Sequence, residues 1–178
     1  AILTNTTIAA NTAITEGAGI YYVQHGGQGD RNPSFLKLTN TLLADNDGEN
    51  CAGSINDITS LGYNLSDDGF CLFATPGDLV KVDAKLGPLQ DNGGPTLTHA
   101  LLASSPAINA GSNTACPAKD QRGVSRPQGA NCDIGAVEAA VTTPFLFVGP
   151  PALSFNAVAG ANPPPAQSFQ IQNSGVGT

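Results

Sequence analysis

The densest group of reactive side chains lies in one stretch near the middle of the chain: Asp120, Arg122, Arg126, Asp133 and Glu138 bring carboxylates and guanidinium groups close together. Arginine beside carboxylates can hold an acidic sugar, because the planar guanidinium fork pairs two oxygens at once. The same groups can instead build a structural cap, with arginine tied to carboxylates and backbone carbonyls over strand edges that would otherwise stay unpaired. The cap is the expected role of these five residues.

A second group is Asp45-Asn46-Asp47-Gly48-Glu49-Asn50, in which Asp45, Asp47 and Glu49 are candidate ligands for Ca²⁺, a cation that takes oxygen donors. The stretch lacks the glycine at the sixth position and the glutamate at the twelfth of an EF-hand loop, where Asn50 and Asn56 stand instead. A solvated turn is the expected reading, with Ca²⁺ as its alternative and no other cofactor. Gly26-Gly27-Gln28-Gly29-Asp30 matches a calcium-binding nonapeptide once, with its Asp one position early.

Catalysis finds little support. A lyase acting on uronans needs calcium-binding acids and a basic side chain on one strand face, and a hydrolase needs two opposed carboxyl groups. Up to residue 75 the basic residues are Arg31 and Lys37, with Arg31 in a Gly-rich loop. Asp67 and Asp68 are adjacent, so in a strand they point to opposite faces. His25 and His99 have no nucleophile near them in sequence, and no nucleophile elbow, P-loop or zinc-protease motif occurs. Of the tyrosines, Tyr21 and Tyr22 face opposite ways in a strand, so at most one joins Tyr63 in stacking on a sugar.

The four cysteines, Cys51, Cys71, Cys116 and Cys132, lack the C-x2-C spacing of a zinc or redox site. Sequential pairing, Cys51 with Cys71 and Cys116 with Cys132, is the expected arrangement, each bridge worth about 3 kcal/mol in a chain-entropy account. Buried free thiols and metal ligation are the other readings. Disulfides imply an oxidising compartment.

Elements that could position these groups follow from composition and repetition. In 178 residues there are 21 Gly, 13 Pro, no Met and no Trp, and charged residues make up only 12%. Hydrophobic content of 40% argues against disorder. The net charge of −7 disfavours nucleic-acid phosphates and anionic membranes as partners. No apolar run reaches the length of a membrane span. A chain without Met that opens Ala-Ile-Leu-Thr reads as an excerpt of a longer exported protein.

One repeat is plain: Leu3-Thr4-Asn5-Thr6-Thr7-Ile8-Ala9-Ala10-Asn11 recurs as Leu38-Thr39-Asn40-Thr41-Leu42-Leu43-Ala44-Asp45-Asn46. Leu61-Gly62-Tyr63-Asn64-Leu65 is a weaker third copy. Each copy reads as one short strand ending at an Asn that tolerates a left-handed turn. Helical periodicity is nearly absent. Short strands with Asn at matched corners are what a parallel β-helix requires, because stacked coils bury the apolar face that one coil cannot, and Asn11 and Asn46 are the expected side-chain ladder. A β-sandwich with both Asn residues in plain turns is the alternative. The segment Gly26–Pro33 is expected to bulge out as a loop.

A run of submotifs from Leu86-Gly87-Pro88-Leu89-Gln90-Asp91-Asn92-Gly93-Gly94-Pro95, through Ser105-Pro106-Ala107-Ile108-Asn109-Ala110-Gly111, Asp120-Gln121-Arg122-Gly123 and Arg126-Pro127-Gln128-Gly129, to Cys132-Asp133-Ile134-Gly135-Ala136-Val137-Glu138 resembles the choice-of-anchor Q domain. That resemblance implies the end of a right-handed parallel β-helix exported by bacteria. Asn109 stands where that family often has Asp, which speaks against catalysis there. Beyond Glu138, Ala152–Gly160 and Gln167–Asn173 alternate like two strands around Pro163-Pro164-Pro165 and resemble the start of a BACON-like, immunoglobulin-like module.

The expected fold class is therefore all-β: terminal β-helix coils over residues 1–84, a capping region over 85–138, a linker over 139–151 and a truncated β-sandwich over 152–178. The expected function is a non-catalytic structural or adhesive portion of a secreted or cell-surface protein, a monomer whose loops meet an extracellular polysaccharide or surface protein. The alternative is the C-terminal portion of a β-helix polysaccharide lyase or hydrolase whose active coils lie upstream.

Overall fold

The computed structural model describes residues 1–23, 35–140, 146–149, 168 and 170–173. These form an all-β protein, with single 3-10 turns at Ile55–Asp57 and Asn113–Ala115 and no α-helix among the described residues. The chain divides into two compact units, Ala1–Ala139 and Ala140–Thr178.

The first unit begins with successive passes of the chain. β1 (Ile2–Thr4), β2 (Thr7–Ala9) and β3 (Ile20–Tyr22) make the first pass. β4 (Leu36–Thr39), β5 (Leu42–Ala44) and β6 (Cys51–Gly53) make the second, and β7 (Ile58–Ser60), β8 (Leu65–Ser66) and β9 (Leu79–Val80) follow. Each strand pairs in parallel with its counterpart in the next pass, giving sheets ordered β1-β4-β7, β2-β5-β8-β9 and β3-β6. The register sets Leu3 opposite Leu38, Ile8 opposite Leu43 and Ile20 opposite Cys51.

The nine-residue repeat is not one strand but two, broken by a corner at Asn5 and Asn40. Both take left-handed backbone, φ 46° and 50°, and Tyr63 follows at the third corner with φ 59°. Asn reaches this conformation more readily than most residues, since its short polar side chain bonds locally. The corner after β2 is bent the same way at Ala10 and Asp45, φ 56° and 57°. Non-glycine residues there carry strain of about 1–2 kcal/mol each.

Two apolar clusters arise from the alternation of side chains along the strands. Leu38, Leu43, Cys51, Ile58, Cys71 and Phe73 fill the space between the sheets. Leu42, Ala44 and Leu65 point the other way and pack against Ala84, Leu101, Ile134 and Val137 of the following segment. β5 is thus buried on both faces, which explains the unbroken apolar run Leu42-Leu43-Ala44.

Leu101, Ala107, Ile134 and Val137 of the region 85–138, the region expected as a cap, pack against Leu42, Ala44 and Leu65 of the β2-β5-β8-β9 sheet. The sheet needs that cover because Leu42, Ala44 and Leu65 point outward from it. The segment includes an antiparallel hairpin, β10 (Leu86–Gln90) with β11 (Thr98–Leu101). Farther on it approaches so closely at Gly135 that a Cβ there would sit 2.7 Å from Thr7 Oγ1, and the φ of 102° independently favours glycine.

Disulfides join Cys51 to Cys71 and Cys116 to Cys132. The first ties β6 to the turn that carries Phe73 into the core, and the second closes a loop within the flanking segment.

In the second unit β12 (Leu146–Gly149) pairs antiparallel with β13 (Gln170–Asn173). β12 falls inside the span expected as a linker, 139–151. The run Leu146-Phe147-Val148 has the aromatic and β-branched composition that favours strands. Ala152–Gly160, expected as a strand, lies outside the described residues.

Candidate functional site

The five charged residues of the flanking segment form one connected cluster. Asp120 accepts from Arg122 N–H and Val124 N–H through Oδ1, and from the Arg122 guanidinium and Glu138 N–H through Oδ2, at 2.8–3.0 Å. Glu138 pairs with Arg126 through Oε1, which also accepts Asp133 N–H at 2.8 Å, while Oε2 accepts Gln128 N–H at 2.9 Å. Arg126 donates to the carbonyls of Asp133 and Gly135 at 3.2 and 2.8 Å. Asp133 accepts Asn109 N–H at 2.7 Å and Ala139 N–H.

Each carboxylate therefore fastens backbone segments that no regular strand pairing holds. The Arg126 and Glu138 side chains are 1% and 0% exposed. Groups so enclosed cannot act on a polymer, and the cluster works as an internal clamp. Arg126 Nε alone among the buried side-chain polar atoms of the described residues finds no partner.

The electrostatics divide the two aspartates. Burial pushes Asp133 from 3.8 up to about 6, against the pull of its bonds from Asn109 and Ala139, with the Glu138 charge pushing the same way and Arg126 opposing. Burial also raises Asp120, but hydrogen bonds from Glu138 N–H, the Arg122 side chain, Val124 N–H and Arg122 N–H outweigh it and hold its carboxyl below 3.8. Asp120 accepts three backbone N–H bonds and a guanidinium, whereas Asp133 accepts two backbone N–H bonds, is more deeply buried and faces the Glu138 charge.

Amides hold the stack itself. Asn46 Oδ1 accepts Asn11 N–H at 3.0 Å and Asn11 Nδ2–H at 3.1 Å, and Asn46 Nδ2 donates to Ile8 C=O at 3.1 Å. A second, more buried column escaped the sequence reading. Asn40 Nδ2 donates to Asn5 Oδ1 at 3.1 Å, Asn5 Nδ2 to Asp133 C=O at 3.0 Å, and Asn40 Oδ1 accepts Ser112 N–H at 2.8 Å. Asn64, fully buried, accepts Thr41 N–H at 2.9 Å and donates to Leu38 C=O at 3.1 Å. The signal was present: Asn-Thr recurs in the middle of both repeat copies, where an uninterrupted strand would not place it.

Among the described residues no three acids, histidines or cysteines gather as a metal site. Asp45 and Asp47 are exposed and Glu49 half-buried. The neighbouring acids act as acceptors for the backbone: Asp67 takes Asp45 N–H at 2.7 Å, Asp68 takes Asn50 N–H at 2.8 Å and Asp78 takes Asn64 N–H at 2.8 Å. Tyr21 points outward, Tyr22 packs on the core and the Tyr63 ring lies over Gly77. His99 Nδ1 meets Gly87 C=O at 2.8 Å. His25, Arg31 and the whole of the expected loop Gly26–Pro33 lie outside the described residues.

The open chemistry lies between β2 and the flanking segment. Two cavities of about 290 and 350 Å³ share Thr7, Gln121 and Ala136. The first also meets Thr6, Lys119 and Arg126, and the second Ala9, Leu89, Leu97 and His99. The first is lined by hydroxyl and ammonium donors and the second by two leucines.

No family model, curated protein or solved structure matches this chain.

Proposed function

We infer that residues 1–84 are coils of a right-handed parallel β-helix and that residues 85–138 are a choice-of-anchor Q-like region, together forming a non-catalytic structural and adhesive portion of a secreted or cell-surface protein. The observation that carries this reading is the stacked pair of identical corners: Asn5 on Asn40 and Asn11 on Asn46 are bonded across parallel strands held in one register. Stacked passes with amide ladders make a stiff support. Two disulfides support an oxidising, extracellular setting. No helix among the described residues is long and apolar enough to cross a membrane.

A structural role is further supported by where the acids are spent. Asp67, Asp68, Asp78, Asp120 and Glu138 each accept backbone N–H groups, and so are committed to holding the chain. The partner is an extracellular polysaccharide or surface protein. Incubation with pectin and related uronans, with and without calcium, tests the reading. It expects no unsaturated sugar products; their calcium-dependent release would identify an enzyme and overturn it.

A further inference from the structure

The Cys116–Cys132 bridge divides the charged cluster into a part that grips and a part that is gripped. Asp120, Arg122 and Arg126 lie inside the loop that the bridge closes, and residues 133–139 lie just outside it. Gln121 N–H donates to Ala136 C=O at 3.0 Å, and Glu138 N–H donates to Asp120 Oδ2 at 2.9 Å. The Arg122 guanidinium donates to Glu138 C=O. Arg126 reaches the carbonyls of Asp133 and Gly135 and the Glu138 carboxylate, whose other oxygen accepts Gln128 N–H at 2.9 Å. Most of these bonds involve a charged group, which makes them the strong class. Gly135 N–H also donates to Asn40 C=O at 2.8 Å, which seats the gripped segment on the stack itself. Directly after Ala139 the chain leaves the first compact unit and enters the second.

We propose, resting on the adhesive reading, that residues 133–139 are a resettable mechanical latch through which the first unit bears tension arriving along the chain at Ala140. Such tension meets Ala139 first and then loads the bonds just described. When they yield, residues 133–139 straighten to at most about 25 Å. At Cys132 the load crosses the disulfide to Cys116 and bypasses residues 117–131. Cys132 is itself tied down, its N–H to Asn113 Oδ1 and its C=O to Gly111 N–H, both at 2.8 Å. The bypassed loop keeps its own bonds, Asp120 N–H to Val124 C=O at 2.8 Å and Arg126 N–H to Ala118 C=O at 3.0 Å. The gripping side chains therefore stay in place, and the segment returns to them when the tension falls. Without the bridge the same pull would draw the grip out together with what it holds.

Magnetic tweezers test the latch on the full chain, held by two azide-bearing side chains in place of Asn56 and Ala140, both exposed. These handles leave the second unit out of the load path. As force rises, the first event expected is reversible hopping between two extensions that differ by no more than about 25 Å. Cys116→Ser combined with Cys132→Ser leaves the Cys51–Cys71 bridge intact and should enlarge the step toward about 80 Å, as residues 117–131 join it, and end the hopping. Arg122→Gln keeps the bridge and should shorten the closed state about tenfold at equal force, with the step unchanged. It serves if the double serine variant fails to fold. A first step well beyond about 25 Å in the bridged protein, a step that does not reverse, or the same step without the bridge overturns the latch. Uronan cleavage would overturn the adhesive reading and leave these extensions as they are, so the two failures are told apart.

Discussion

In the stacked passes the buried polar side chains are all neutral, amides and hydroxyls, whereas the segment laid against them also buries charged ones. Asn40, Asn50 and Asn64 are almost completely enclosed in the first region, as are Arg126, Asp133 and Glu138 in the second. The contrast follows from backbone regularity. Parallel strands satisfy most of their own N–H and C=O groups, so the corners need only one extra donor and acceptor, which an amide has. The flanking segment has few strands, and its turns leave several N–H groups to be gathered at once. A carboxylate accepts several bonds and holds them tightly, but its charge then has to be balanced by arginine.

The sharpest way to break this contrast is to remove one charge. Arg126→Ala leaves Glu138 buried beside no cation and should cost about 3–5 kcal/mol in urea unfolding. Asn64→Ala removes an amide at a comparably buried site and should cost about 1–3 kcal/mol, because it orphans Thr41 N–H without stranding a charge. If the asparagine change costs more than the arginine change, the charged cluster is not the tighter fastening.

The smallest expected effect separates the regions by pH. Asp133 has its pKa raised to about 6 in the folded chain, so its protonated form favours folding, and that contribution is lost as pH rises through about 6. Stability should therefore gain about 1 kcal/mol on going from about pH 7.5 to about pH 5, and Asp133→Asn should abolish the gain. Asp120 works in the opposite sense, its pKa being held below 3.8, so its contribution is present above that value and lost only in stronger acid. A melting curve whose pH dependence survives in Asp133→Asn would assign the effect to another group.

The sequence made the all-β class and the repeat legible, because a strand's alternation and an Asn corner are local properties. It hid the break at Asn5 and Asn40, since a corner and a strand of the same small polar residues look alike until the backbone turns. It also hid the direction in which residues 85–138 face. The run Leu42-Leu43-Ala44 carried that information, because a strand with one wet face would not spend leucines on both sides. The cluster of Asp120, Arg122, Arg126, Asp133 and Glu138 was visible as a group of residue types. Which carboxylate took which guanidinium was not, because Arg122 meets a residue two positions away and Arg126 one twelve away.

Along the β2-β5-β8-β9 sheet the chain travels unequal distances between laterally adjacent positions: 35 residues from Asn5 to Asn40, 23 from Thr41 to Asn64 and 14 from Asn64 to Asp78. The ladder holds its register regardless of what is spliced between its rungs. Lengthening a connection costs little, about 0.6 kcal/mol for each doubling of a flexible loop. Such a scaffold separates shape from surface: connections can be lengthened, exchanged or grafted while the rungs keep their register.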